Sequence, residues 1–312
     1  RLIGGTASCL VTTFAPPLAG HTQEAKRIAF FGPGVSKPSM MVPNYQVFLD
    51  QLRSHGFVEG QNLTVRYGET EDPRGLVAVG AELVRSRPDL IVVSGTEAML
   101  RAVLASNSGI PIVLLAINFD PIARGYFQGL SRPGGNITGV IFRQTELSQK
   151  QLELIHQALP QAKNIVALYD AQTADQFSAA ETSAKSLSLE LQGLKLENPP
   201  YNFEDAFLRA AERGAQAMLV QSSPNFLPLQ FRIDELTRRH RLPAMFTFKP
   251  YVEAGGLMSY GVQFAPMYRR TADYVARILR GAKPADLPAE QATKFEMVIN
   301  LKTAKSIGVE FP

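Results

Sequence analysis

The stretch Pro88-Asp-Leu-Ile-Val-Val-Ser-Gly-Thr-Glu97 decides the fold. Leu90–Val93 is a short apolar run that ends in small polar residues. Met99, Leu100, Val103 and Leu104 follow at the spacing of one helix face. An apolar run without alternation fits a strand buried on both faces of a parallel sheet. The turn from such a strand into a helix offers free backbone N–H groups and the positive end of the helix dipole, an arrangement suited to a carboxylate. Ser94-Gly-Thr-Glu97 also has the spacing of a capping box, a purely local role.

The same strand-then-helix unit recurs on both sides. Before it come a strand at Arg27–Phe31, a helix marked by Tyr45, Phe48, Leu49 and Leu52, a strand at Asn62–Tyr67 and a helix through Leu76 and Leu83. After it come a buried strand at Ile110–Ala116, a short helix from Asp120-Pro121 to about Leu130, and a strand at Asn136–Phe142. The pattern then restarts. Asn164–Tyr169, Glu190–Leu196, Gln216–Val220 and Leu242–Phe246 are strands separated by helical stretches. Arg27–Phe31 corresponds to Asn164–Tyr169, Pro88–Thr96 to Gly214–Ser223, and Ile110-Pro-Ile-Val to Leu242-Pro-Ala-Met. Regular alternation implies right-handed βαβ units, so the fold class is α/β: two Rossmann-like lobes with parallel sheets, built on one plan.

The tail contains a strand near Gly255–Gly261, a long helix from about Pro266 to Arg280, a linker, a strand at Lys294–Asn300 and a short helix at Thr303–Ile307. It is too short for a third domain and must complete the two lobes, which makes three chain crossings between them. The expected division is a leader over 1–26, a first lobe of 27–142 plus 258–280, and a second lobe of 143–257 plus 281–312.

The chain has 312 residues, 45% hydrophobic and 19% charged, which is the composition of a globular protein. A net charge of +4 with scattered Lys and Arg gives no basic stripe, so nucleic acid is not an expected partner. Cys9 is the single cysteine, which excludes a disulfide framework and a cysteine zinc site, and no His spacing suits a metal. No cofactor fingerprint or phosphate loop occurs, and Leu257-Met-Ser-Tyr-Gly261 lacks the first glycine of a nucleophile elbow. Catalytic residues are therefore not expected. Arg1, the apolar run Leu2–Phe14 and the small residues Ala15–Gly20 follow the order of an export signal.

Asp89-Leu-Ile-Val-Val-Ser-Gly-Thr96, Ile110-Pro-Ile-Val113, Asp120-Pro-Ile122, Ser131-Arg-Pro-Gly-Gly-Asn-Ile-Thr-Gly139 and Ile299-Asn-Leu-Lys302 together carry a resemblance. In these the chain resembles the ABC-transporter substrate-binding proteins of the tryptophan-binding type. The resemblance implies a type I periplasmic-binding-protein fold with a three-crossing hinge. It also implies a periplasmic receptor that closes on a small-molecule solute, an amino acid or aromatic carboxylate, and presents it to a membrane permease. Arg1-Leu-Ile-Gly-Gly5 resembles the end of a twin-arginine signal common in that family. A periplasmic sensing subunit and a two-domain enzyme are the alternative readings.

In open parallel sheets ligands lie beyond the carboxyl ends of the strands. The candidate ligand-binding residues are therefore Ser94, Gly95, Thr96, Asn118 and Asp120 from the first lobe, and Tyr169, Asp170, Ser222 and Ser223 from the second. Ser259 and Tyr260 near the last crossing and Ser36 in the Gly32–Ser36 loop complete the set. Phe119, Tyr169, Phe226 and Tyr260 are the rings expected to stack on an aromatic solute.

Overall fold

The computed structural model describes residues 25–32, 42–68, 70, 73–106 and 109–311. The leader region up to residue 24 and the candidate Ser36 lie outside them.

The first lobe runs β1 (Lys26–Phe31), α1 (Val42–Ser54), β2 (Leu63–Gly68), α2 (Leu76–Arg85), β3 (Leu90–Gly95), α3 (Glu97–Leu104), β4 (Ile112–Ala116) and β5 (Ile137–Ile141). The second runs α4 (Gln144–Ala158), β6 (Asn164–Asp170), α5 (Ala174–Ser186), β7 (Glu190–Leu196), α6 (Phe203–Glu212), β8 (Ala217–Val220), α7 (Gln230–Arg239), β9 (Ala244–Phe246), α8 (Lys249–Glu253) and β10 (Met258–Val262). The tail adds α9 (Phe264–Leu279), β11 (Glu290–Gln291), β12 (Phe295–Ile299) and α10 (Leu301–Ile307).

The sheets have the orders β11-β5-β4-β3-β1-β2 and β12-β10-β9-β8-β6-β7. These are one order written twice, as the matched sequence segments imply. Every pairing is parallel except that of β12 with β10. The exception follows from the path of the chain. β5 and β10 both run toward the junction of the lobes. The last strand leaves the first sheet beside β5, in the same direction, and enters the second sheet moving away from the junction, so it lies antiparallel to β10.

Hydrogen bonding divides the tail differently from the sequence expectation. Met258–Val262, assigned above to the first lobe, pairs with β9 and β12 in the second sheet. Gly281–Gln291, assigned to the second lobe, belongs to the first: a 3-10 turn at Pro284–Asp286 packs on β5, and β11 pairs with β5. α9 packs on α1 and against β3, β4 and β5. The crossings are thus at Phe142–Arg143, Gln263 and Ala292–Lys294. Backbone bonds Ala292 N to Ile141 O (2.8 Å) and Gln263 N to Lys294 O (3.0 Å) hold them side by side. Phe264 packs there against Phe248 and Phe142, at 4.9 and 6.5 Å between ring centroids.

The apolar runs are buried on both sides, as a parallel sheet requires. Ile28 and Phe30 of β1 face α1 and α9, while Ala29 and Phe31 face the α2–α3 side. The short helix expected up to Leu130 is instead a set of turns. Asp120 Oδ1 accepts from Ile122 N (2.8 Å) and Ala123 N (3.3 Å), and both Tyr126 N and Phe127 N then fold back on Pro121 O. The chain reverses there before a second helical turn can form.

The strands that enter the first two crossings each carry a close-packed glycine. A Cβ on Gly139 of β5 would lie 1.8 Å from Leu114 O, and one on Gly261 of β10 would lie 1.9 Å from Thr247 O. Both approaches are to backbone, so no side-chain adjustment relieves them.

One buried acid stands apart from the cleft. Asp234 on α7 is fully buried, and neither carboxylate oxygen has a hydrogen-bond partner among the described residues. Burial pushes its pKa up to about 8, against a smaller opposing pull from Arg238. The folded protein therefore holds this carboxyl protonated at neutral pH, whereas the unfolded chain ionises near the ordinary carboxylate value. The resulting stability is complete below that value, falls as pH rises, and is lost above about pH 8. Asp234→Asn removes this dependence. Its Tm relative to the parent should be similar at pH 4 and higher at pH 9, by the equivalent of several kcal/mol, as measured by thermal unfolding across that range.

Candidate functional site

The carboxyl ends of the two sheets point at the junction, and the polar residues that follow those strands meet there. Asn118, two residues past β4, is held in the left-handed region at φ 64°. Its Nδ2 donates to Ser222 O, and Ser222 Oγ donates to its Oδ1 at 2.9 Å. Two residues picked from opposite lobes thus bond to each other directly. Asn tolerates this backbone conformation better than most residues.

Ser222 is part of a larger array in the second lobe. Its N donates to Gln176 Oε1 at 3.0 Å. Next to it, Ser223 Oγ donates to Asp170 Oδ2 at 2.6 Å. Asp170 Oδ2 also accepts from Tyr201 OH (2.8 Å) and Asn225 Nδ2 (3.1 Å), and its Oδ1 accepts from Gln172 N (3.0 Å) and Thr173 Oγ1 (3.1 Å). A buried carboxylate with this many donors has its hydrogen-bonding capacity met within the protein. Burial and the bond to Asp170 push the Tyr201 phenol up to about 12, which keeps it a donor. Asp170 is therefore the organiser of the β6 and β8 loops and has no capacity left for a solute ammonium.

The opening stretch divides into two roles. Ser94 is fully buried inside β3, which continues through Gly95 opposite Ala116. Its hydroxyl pairs with Tyr268 OH of α9 at 2.9 Å. The capping box does not form, because the helix begins at Glu97 and its N-cap is Thr96, with no side-chain cap bond. Glu97 instead accepts from Tyr126 OH at 2.9 Å. Gly95 is covered by Met99, whose Sδ lies 2.3 Å from where a Cβ would stand. Thr96 is half-buried at the mouth of α3, with its hydroxyl unused for capping.

Other candidates fall elsewhere. Tyr169 stacks flat on Phe177 of α5, 4.4 Å between centroids. Tyr260 stacks on Phe295 of β12, and its carbonyl accepts from Gln151 Nε2 at 2.6 Å. Ser259 is buried within β10, three residues short of the crossing. Phe226 is buried edge-on to Tyr201 and Phe203, and Phe119 is edge-on to Tyr126. These rings are packing elements. Asp120 caps its own turn, and the Arg143 guanidinium, held charged chiefly by its bond to Glu146, receives a smaller contribution from Asp120.

The sequence reading missed a polar stripe on α4. Gln144, Ser148 and Gln151 are buried, and Ser148 Oγ donates to Gln221 Oε1 at 2.8 Å. These residues extend the face of Leu152, Ile155 and Leu159 backward at the same spacing. Reading that face to its first turn gives the signal.

Two matched α/β lobes, joined by three crossings and meeting through polar strand ends, define a hinged solute-binding architecture. Residues 33–312 match the family model described as ABC transporter substrate binding protein, and the chain belongs to that family. Proteins of this family bind solutes for ABC transporters. A curated relative, the tyrosine-binding protein of Clostridioides difficile, is 22% identical over 271 residues, covering 84% of this chain and 76% of the relative. The structure of an ABC domain in complex with L-Trp from Streptococcus pneumoniae is 25% identical, with TM-score 0.80 and coverage of 93% and 96%. A conserved domain protein from Vibrio cholerae has TM-score 0.82 at 24% identity, with the same coverage. No helix among the described residues is long and apolar enough to cross a membrane.

The division within the opening stretch is testable. Ser94→Ala should lower stability by about 1 kcal/mol through loss of the Tyr268 bond. Thr96→Val should leave Tm unchanged and weaken solute binding; thermal unfolding and calorimetry on both variants separate the two roles.

Proposed function

We propose that this protein captures a small solute between its lobes, outside the cytoplasmic membrane, and presents it to the permease of an ABC importer. The solute class we infer is an amino acid, aromatic ones first, since the relatives that match are described with L-Trp and as tyrosine-binding. The observation that carries the reading is the reciprocal pair between Asn118 and Ser222, which brings the lobes together at the strand ends where a solute would lie. Thr96 and the free N–H groups at the start of α3 suit the solute carboxylate. The export signal in this reading is of the twin-arginine type and ends before Lys26, which already pairs with Leu63 in the first sheet. The periplasm is then the site of capture.

Calorimetry and thermal-shift titration against the amino acids and aromatic acids test this. A true solute at a hundred times its Kd should raise stability by about 2.7 kcal/mol. Failure of every member to bind the folded protein would overturn the reading. Asn118→Gly keeps the left-handed backbone and deletes both inter-lobe bonds. It should weaken solute binding severalfold and enlarge the solute-free particle in small-angle scattering, with little loss of Tm.

A further inference from the structure

Three glutamines lie beside the inter-lobe contact, and each has one amide atom engaged and the other without a partner among the described residues. Gln176 Oε1 takes the Ser222 N–H, and its Nε2 is free. Gln221 Oε1 takes the Ser148 hydroxyl, and its Nε2 is free. Gln144 Nε2 donates to Thr247 Oγ1 at 3.5 Å, and its Oε1 is free. The three are 1%, 1% and 5% exposed, so bulk water does not satisfy them. A buried amide atom left unpaired costs about 1–3 kcal/mol. The three are grouped where the chain crosses and β8 ends.

Among the described residues, the charged groups beside the shelf are engaged: Asp120 caps its own turn through Oδ1. Asp170 is saturated by its own loops, and Arg143, at the N-cap of α4, is paired with Glu146 at 2.8 Å. The shelf itself presents two N–H donors and one carbonyl acceptor, all three uncharged.

We propose that Gln144, Gln176 and Gln221 form the second lobe's half of the solute site and select a solute with a neutral group that both accepts and donates hydrogen bonds, a hydroxyl or a carboxamide. The inference rests on the capture reading above and adds to it the chemistry of the solute's far end. A solute lacking that group leaves the shelf unsatisfied. One carrying a full charge there meets no countercharge. Discrimination by buried hydrogen-bonding groups is steep because the unmatched solute leaves them unpaired.

Calorimetry on the full chain with two matched pairs tests it: L-tyrosine against L-phenylalanine, and L-glutamine against L-glutamate. In at least one pair the neutral polar member should bind roughly 10-fold more tightly or better. Gln221→Leu should reduce that preference to about 3-fold or less while leaving the Kd of the poorer member nearly unchanged. Gln144→Met is the second variant, and circular dichroism selects whichever folds; the preference of the parent protein needs neither. Binding without preference, or a preference that survives in a folded variant, overturns the shelf and leaves capture standing. Binding of none of the four while other amino acids bind also overturns the shelf alone. No binding across the whole amino-acid panel overturns capture and the shelf together.

Discussion

Three segments of backbone lie side by side where the sheets meet, tied by the bonds from Ala292 to Ile141 and from Gln263 to Lys294. The rest of the molecule depends on that splice. It sets the carboxyl ends of two parallel sheets toward one another. Every loop that leaves those strands must then fall near a single junction, so polar residues more than a hundred positions apart, such as Asn118 and Ser222, come into contact. The site is a product of topology first and of side chains second.

The buried polar groups around the junction fall into two kinds. Asp170 and its donors are complete, and a complete network fixes loops in one arrangement. The glutamines each leave one amide atom without a partner among the described residues, at a cost of about 1–3 kcal/mol apiece. Asp234 shows the third solution available to a buried acid, far from the cleft: it keeps its proton. Rigid loops next to unsatisfied amides suit a receptor that holds its shape and waits for a solute.

The strands were legible because burial on both faces demands continuous apolar runs, as in Leu90–Val93 and Ile112–Leu115. The duplication was legible for the same reason. The tail was misdivided because nothing local in Met258–Val262 tells which of two similar sheets it joins; the register opposite Met245 and Phe246 decides. The five-residue α8 was too short to show a helical period. At the junction, strand ends pointed to Asn118 and Ser222, whose contact with each other needs only the fold. They could not show the network around Asp170, because its donors come from Tyr201, Ser223 and Asn225, 31 to 55 residues onward. Ser94 misled through a local motif that a strand two residues longer overrides. The α4 stripe was overlooked because polar residues on a buried face look, in sequence, like an exposed one.

Glycine in a strand is usually the place where a chain bends. Gly139 and Gly261 have the opposite effect. With a neighbouring carbonyl pressed into the space of the absent Cβ, each clamps its strand to the sheet just before the chain leaves it. Bending is excluded from the last turns of both sheets and concentrated in the few residues of Phe142–Arg143, Gln263 and Ala292–Lys294. A rotation confined to those residues would carry the lobes as two stiff plates on a short pin, so that a small turn at the pin becomes a wide travel at the far rim of the cleft. Hinges of this kind open far for little distortion of either plate, and the two glycines keep the plates from absorbing the motion themselves.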